Sequence, residues 1–144
     1  MKSRPFSFPK SEKLVSHKLI DRLFAGGGSK SMSAYPLRLV YLILEDDDQA
    51  LLVTGSTEKR NNAQILISVP KRCFKHAVDR NRVKRQVREA YRKHRDLYTL
   101  PDGKHLAIAF IWLDRKHHSS EEVENKVINL LQRMQEKSLK GLAQ

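Results

Sequence analysis

The chain holds a single cysteine, Cys73, in 144 residues, so an internal disulfide is excluded. One unpaired thiol fits a reducing, cytoplasmic setting. No His/Asp partner pattern surrounds Cys73, so it is expected to be a packing residue rather than a nucleophile. Long apolar runs are missing too. The longest, Leu39–Leu44 and Leu106–Leu113, fall far short of the roughly 20 residues that span a bilayer. The start, Met1 to Phe6, is basic but has no apolar segment behind it, so no signal peptide is expected. Acids are scarce beside bases: 16 Asp/Glu face 28 Lys/Arg, for a net charge of +12 and a pI near 10.0. That balance favours a nucleic-acid partner over an acidic small molecule, with a membrane surface as the competing polyanion.

Catalytic and metal signatures are also missing. His17, His76, His94 and His105 show no ligand spacing, and His117 and His118 are adjacent, which points their side chains apart. No serine sits in a G-x-S-x-G elbow. Asp46, Asp47 and Asp48 lack the spaced ligands and glycine of a calcium loop and read as a solvated turn. Gly26–Gly28 lacks the Gly-Lys-Ser/Thr that would follow in a phosphate loop. It reads as a helix stop.

What the chain does have is a concentrated basic segment. Residues 71–95 carry eleven Lys/Arg and two acids, Asp79 and Glu89, a net of +9 in 25 residues. Val83, Val87, Ala90 and Tyr91 fall at i, i+4, i+7 and i+8, the buried stripe of a helix. At 100° per residue, Asn81, Lys84, Arg85, Arg88, Arg92 and Arg95 cluster away from that stripe. Asp79 is placed as an N-cap or first-turn acid. Glu89 is spaced to pair with Arg85 or Lys93. So one-sided a cationic face costs self-repulsion unless a polyanion neutralises it, which points to nucleic acid.

The run Ala77-Val78-Asp79-Arg80-Asn81-Arg82-Val83-Lys84-Arg85, with Val87-Arg88-Glu89 and Arg92 after it and Ser68-Val69 and Lys71-Arg72 before it, resembles the signature of the protein subunit of bacterial ribonuclease P. The resemblance extends over nearly the whole chain in length, motif position and flanking elements. It is least clear over residues 46–62.

Taken in order, residues 1–12, with Phe6 and Phe8 between Pro5 and Pro9, read as an extended arm. Leu14, Ile20, Leu23 and Phe24 make a short amphipathic helix with Ser11 as its N-cap. A short strand is expected within Ser29–Tyr35 and a central strand over Leu37–Leu44. The latter is expected to pair as a hairpin with Gln64–Val69 across a long connection. The basic helix follows and ends near Arg95–Leu97. Pro101-Asp102-Gly103 marks a turn. His105–Leu113 reads as a strand buried on both faces. Ser119 and Glu122 have capping-box spacing before a helix with Val123, Val127, Leu130, Leu131 and Met134 on one face. Residues 138–144 read as a frayed tail.

The expected fold is thus one α+β domain over residues 1–144. It is a two-layer sandwich with a four-stranded, mainly antiparallel sheet and the order α-β-β-β-α-β-α. The resemblance implies a left-handed crossover for the strand–basic helix–strand unit, where the general rule is right-handed. It also implies a protein with no active site of its own. The catalytic RNA of ribonuclease P would cleave precursor tRNA with Mg²⁺ bound mainly by that RNA, and the protein, one per RNA, would bind the RNA and the single-stranded 5′ leader. Carried over by position, Arg80, Asn81, Arg82, Lys84, Arg85, Arg88 and Arg92 would face the catalytic RNA, with Lys71 and Arg72 on leader or RNA phosphates. Ile20, Phe24 and Tyr41 would line the leader cleft. Ile20 departs from the family there, where an aromatic is frequent, and an aliphatic side chain cannot stack on a base. Two rivals remain: a structural RNA-binding protein or RNA chaperone without a role in cleavage, and a helix-turn-helix DNA binder. The latter conflicts with the strand expected at Gln64–Pro70.

Overall fold

The computed structural model describes residues 17–25, 28–45, 63–100 and 103–139. Among the described residues, three helices and four strands follow in the order α1 (His17–Ala25), β1 (Lys30–Ala34), β2 (Leu37–Glu45), β3 (Ala63–Ser68), α2 (Ala77–His94), β4 (Lys104–Trp112) and α3 (Ser120–Met134). A 3₁₀ turn, Arg95–Leu97, closes α2, and a π-helical turn, Gln135–Leu139, continues α3. The element order is the expected one. The expected arm over residues 1–12 and the Asp46–Asp48 turn lie outside the described residues.

The four strands form one mixed sheet in the order β1-β2-β4-β3. β1–β2 and β2–β4 are antiparallel, and β3–β4 is parallel. The hairpin expected between Leu37–Leu44 and Gln64–Val69 is not formed, because β4 lies between those two strands. Strand character explains the placement. β4 is apolar on both faces, with Leu106, Ile108 and Phe110 on one and Ala107 and Ala109 on the other, all fully buried. A strand with two apolar faces is best placed in the middle of a sheet. β3 takes the edge and joins β4 through α2.

The two faces are covered unequally. Leu37, Leu39 and Tyr41 of β2 and Leu106, Ile108, Phe110 and Trp112 of β4 join the stripe of α2 (Val83, Val87, Ala90, Tyr91) and that of α3 (Val123, Val127, Leu130, Leu131, Met134) in the main core. Each large apolar side chain buried there contributes about 1.5–3 kcal/mol. On the opposite face, Leu19 and Leu23 of α1 pack on Val40, Leu42, Leu44, Ala107 and Ala109. The two small alanines let the short helix approach the sheet closely. α1 covers only part of this face, so Ser31, Ser33 and Arg38 remain exposed beside it.

Three local expectations resolve at this level. Ser119 caps α3, its Oγ accepting from Glu122 N–H at 3.1 Å. Cys73 is buried in the main core, as a packing residue should be. Residue 138 was expected to open a frayed tail; residues 140–144 of that reading lie outside the described residues. Ser138 is buried and lies 2.6 Å from the Tyr41 hydroxyl, so residue 138 belongs to the packed structure. Among the described residues, no helix is long and apolar enough to cross a membrane.

Candidate nucleic-acid interface

α2 presents its charge as its sequence dictates. With Val83, Val87, Ala90 and Tyr91 buried, the exposed side carries Asn81, Arg82, Arg85 and Lys93. Lys84 and Arg88 are half-buried along one flank. The turn leading into α2 exposes Lys71, Arg72 and Lys75, so turn and helix form one cationic surface. Val78 lies within it and is 80% exposed. This large apolar side chain is turned to solvent among cations, and its charged neighbours masked it in the sequence.

Two motif residues face inward. Arg80 is half-buried, and its Nη1 donates to the backbone carbonyls of Phe74 and Lys75, both at 2.9 Å. Arg92 is 14% exposed and pairs with Glu89. Glu89 was expected to pair with Arg85 or Lys93. The i,i+3 partner wins because Arg92 packs beside it on the helix surface. The Arg92 hydrogen bond holds the Glu89 carboxyl below the ordinary glutamate range, against a smaller opposing effect of burial. Asp79 sits in the first turn, while His76 holds the N-cap position without a side-chain cap.

Asp79 meets the loop between β4 and α3. Its Oδ1 lies 3.0 Å from His117 Nε2, and the His117 ring stacks on Phe74 at 4.4 Å. Gln86 Nε2 donates to the His118 carbonyl at 3.0 Å and to Ser120 Oγ at 3.2 Å. His118 lies between two carboxylates, with Nε2 2.8 Å from Asp114 and Nδ1 3.1 Å from Glu122. The bond to Asp114, helped by Glu122 and opposed by burial, raises the His118 pKa above the ordinary imidazole range. The same bonds lower the Asp114 and Glu122 carboxyls. His117 thus braces the loop against α2, and His118 ties it to the start of α3. Among the described residues, no group of three or more His, Cys, Asp or Glu is placed to hold a metal ion.

A cleft of about 280 Å³ opens on the other face of the sheet, beside α1. Leu23 and Phe24 form one wall, Lys30, Ser31 and Arg38 the other, over Val40 and Ile111. Phe24 is 48% exposed, which an ordinary core residue would not be. Ile20 is half-buried against the Leu19–Leu23 cluster. Tyr41 is not part of this cleft. It is 2% exposed and points into the main core on the opposite face of the sheet. Strand alternation decides this: in β2 the odd positions 37, 39 and 41 face α2 and α3, and the even positions face α1. By the same parity Arg38 faces the cleft. The sequence reading missed it, although it is the one charge before the terminal Glu45 of an otherwise apolar strand, a signal that could have marked it.

The family model for ribonuclease P matches residues 8–135. The ribonuclease P protein component of Chlorobium phaeobacteroides is 36% identical over 134 residues, covering 87% of this chain and 85% of that protein. That of Porphyromonas gingivalis is 40% identical over 92 residues, which is 64% of this chain. That match spans 58% of the Porphyromonas protein's own length. The structure of the ribonuclease P protein of Thermotoga maritima superposes with a TM-score of 0.61 at 20% identity. The superposition covers 85% of this chain and 96% of that one.

Proposed function

The chain belongs to the ribonuclease P protein family, and on that premise we propose that it is the protein subunit of a ribonuclease P holoenzyme that removes the 5′ leader from precursor tRNA. The observation that carries this reading is the continuous cationic surface of α2 and its preceding turn, on a fold whose opposite face holds an open cleft. Asn81, Arg82 and Arg85 point out of one helix face. Guanidinium groups there fork onto phosphate oxygens of the catalytic RNA. Lys84, Arg88, Lys71 and Arg72 extend the surface on either side.

The cleft takes the single-stranded leader. Phe24 offers a ring face on which an unpaired base stacks whatever its identity. Arg38 and Lys30 lie beside it for leader phosphates, while Ile20 packs against the Leu19–Leu23 cluster and does not line the cleft. The protein thereby binds precursor more tightly than mature tRNA, which has no leader to grip. Mg²⁺, bound mainly by the RNA, would supply the metal-activated water and charge neutralisation at the scissile phosphate. The protein's own groups bind and orient. Such a holoenzyme works in the cytoplasm.

The test is reconstitution at low Mg²⁺ with a bacterial ribonuclease P RNA and a leader-bearing precursor tRNA. The expected result is cleavage at the mature 5′ end that requires both protein and RNA. Tight RNA binding with no gain in cleavage, across RNA types, would replace this reading with that of a structural RNA-binding protein.

A further inference from the structure

The turn between β3 and α2 is held from several sides. Cys73 N–H donates to the Pro70 carbonyl at 3.0 Å. Cys73 Sγ lies 3.7 Å from the Trp112 carbonyl. The Phe74 ring is buried and stacks on His117. At Phe74 and Lys75 the turn's carbonyls meet a charged donor, Arg80. One guanidinium nitrogen serves both oxygens at 2.9 Å. Its two hydrogens lie in a rigid plane, so the two acceptors are fixed relative to each other and to the helix.

The exposed lysines and arginine of this turn are Lys71, Arg72 and Lys75. The peptide units that Arg80 grips flank Lys75 and follow Lys71 and Arg72 in the same turn. We infer that Arg80 is a positioning residue: it aligns Lys71, Arg72 and Lys75 with the exposed face of α2 and makes no phosphate contact itself. This inference rests on the reading that α2 binds the catalytic RNA. It divides the signature in two. Asn81, Arg82 and Arg85 reach outward, and Arg80 holds the backbone that presents a second set of cations.

A double-mutant cycle tests it, read as affinity for a ribonuclease P RNA over a KCl series. Arg80→Met keeps the aliphatic stem and removes the guanidinium. In the wild-type background it is expected to weaken binding at least about tenfold and to flatten the salt slope by more than the ~0.9 that one lost phosphate contact removes. In a Lys71→Ala/Arg72→Ala/Lys75→Ala background the same change is expected to alter affinity by less than about twofold, since the cations it aligned are gone. Equal losses in the two backgrounds would make Arg80 a direct contact and overturn the inference. A folded Arg80→Met protein with undiminished affinity would make Arg80 merely structural and overturn it as well.

A second measurement needs no variant. Nitrogen-labelled arginine spectra of the wild-type protein should show the Arg80 guanidinium with slowed rotation, unmoved on RNA addition. If the Arg80 signal moves on RNA addition, the inference fails. Wild-type protein that binds no RNA would instead remove the premise, and a wild-type arm run alone detects that.

Discussion

The Tyr41 hydroxyl lies 2.6 Å from Ser138 Oγ inside the main core, while Phe24 stands half-exposed across the sheet. The pair separates stability from binding. Tyr41→Phe leaves the buried Ser138 hydroxyl without its partner, which costs about 1–3 kcal/mol. Denaturant unfolding should show that loss, and leader affinity should be unchanged. Phe24→Ala should do the reverse, with a nearly unchanged melt and a leader affinity weakened by about 1–3 kcal/mol. A stable Tyr41→Phe protein that bound the leader poorly would restore Tyr41 to the cleft. Its placement was not legible from the sequence for a physical reason. A half-buried strand shows its parity by alternating polar and apolar residues. Residues 39–44 are apolar without a break, so the alternation is erased and only Arg38 betrays which positions face the open side. Arg80 was unreadable in another way. Helical spacing gives the direction of a Cβ, not the reach of a long side chain back along its own chain.

At the scale of elements, local signals survived and long-range ones did not. The Ser119–Glu122 spacing announced the start of α3, and the cap forms. Ser119→Ala should lower stability by about 1 kcal/mol, read by thermal melting. The stripes of α2 and α3 were equally legible, because 3.6-residue periodicity is a property of one segment. Neighbour order in a sheet is not. β2 and β3 follow one another in sequence, yet β4 separates them, and only the need of a doubly apolar strand for a central place explains it. The His118 brace was likewise invisible, since Asp114 and Glu122 converge on it only when the loop folds. Its pH dependence can be worked out by sign. His118 is raised, so its contribution is fully present below the ordinary imidazole value, about 6.5, and is lost as pH rises through the folded value. Asp114 and Glu122 are lowered, so theirs is present above the ordinary carboxylate values, about 4, and is lost as pH falls through the folded ones. The stability gap between wild type and His118→Ala should therefore be widest between about pH 4.5 and 6.5 and narrow on either side. A gap that kept widening to pH 9 would contradict the charged brace.

Over the whole molecule, a net charge of +12 sits on a small fold, with +9 of it in residues 71–95. Two consequences of that charge run in opposite directions with salt. In the free protein the cations of α2 and its turn repel one another, and few acids lie near enough to relieve them. Raising KCl from about 0.01 M to about 0.3 M shortens the screening length from about 30 Å to under 10 Å, so the melting temperature of the free protein should rise. In the complex, RNA phosphates already do the neutralising, and salt competes for both partners. Six exposed cations, Lys71, Arg72, Lys75, Arg82, Arg85 and Lys93, would give log affinity a slope of about −4 to −5.5 against log salt. Binding should also stabilise the fold by mass action, most strongly at low salt, where affinity is highest. Melting curves with and without RNA over one KCl series would therefore converge as salt rises, the free curve climbing and the bound curve falling. A free protein indifferent to salt, with a salt-independent affinity, would show that the cationic surface is an ordinary solvated face and that α2 is not the part of this molecule that meets RNA.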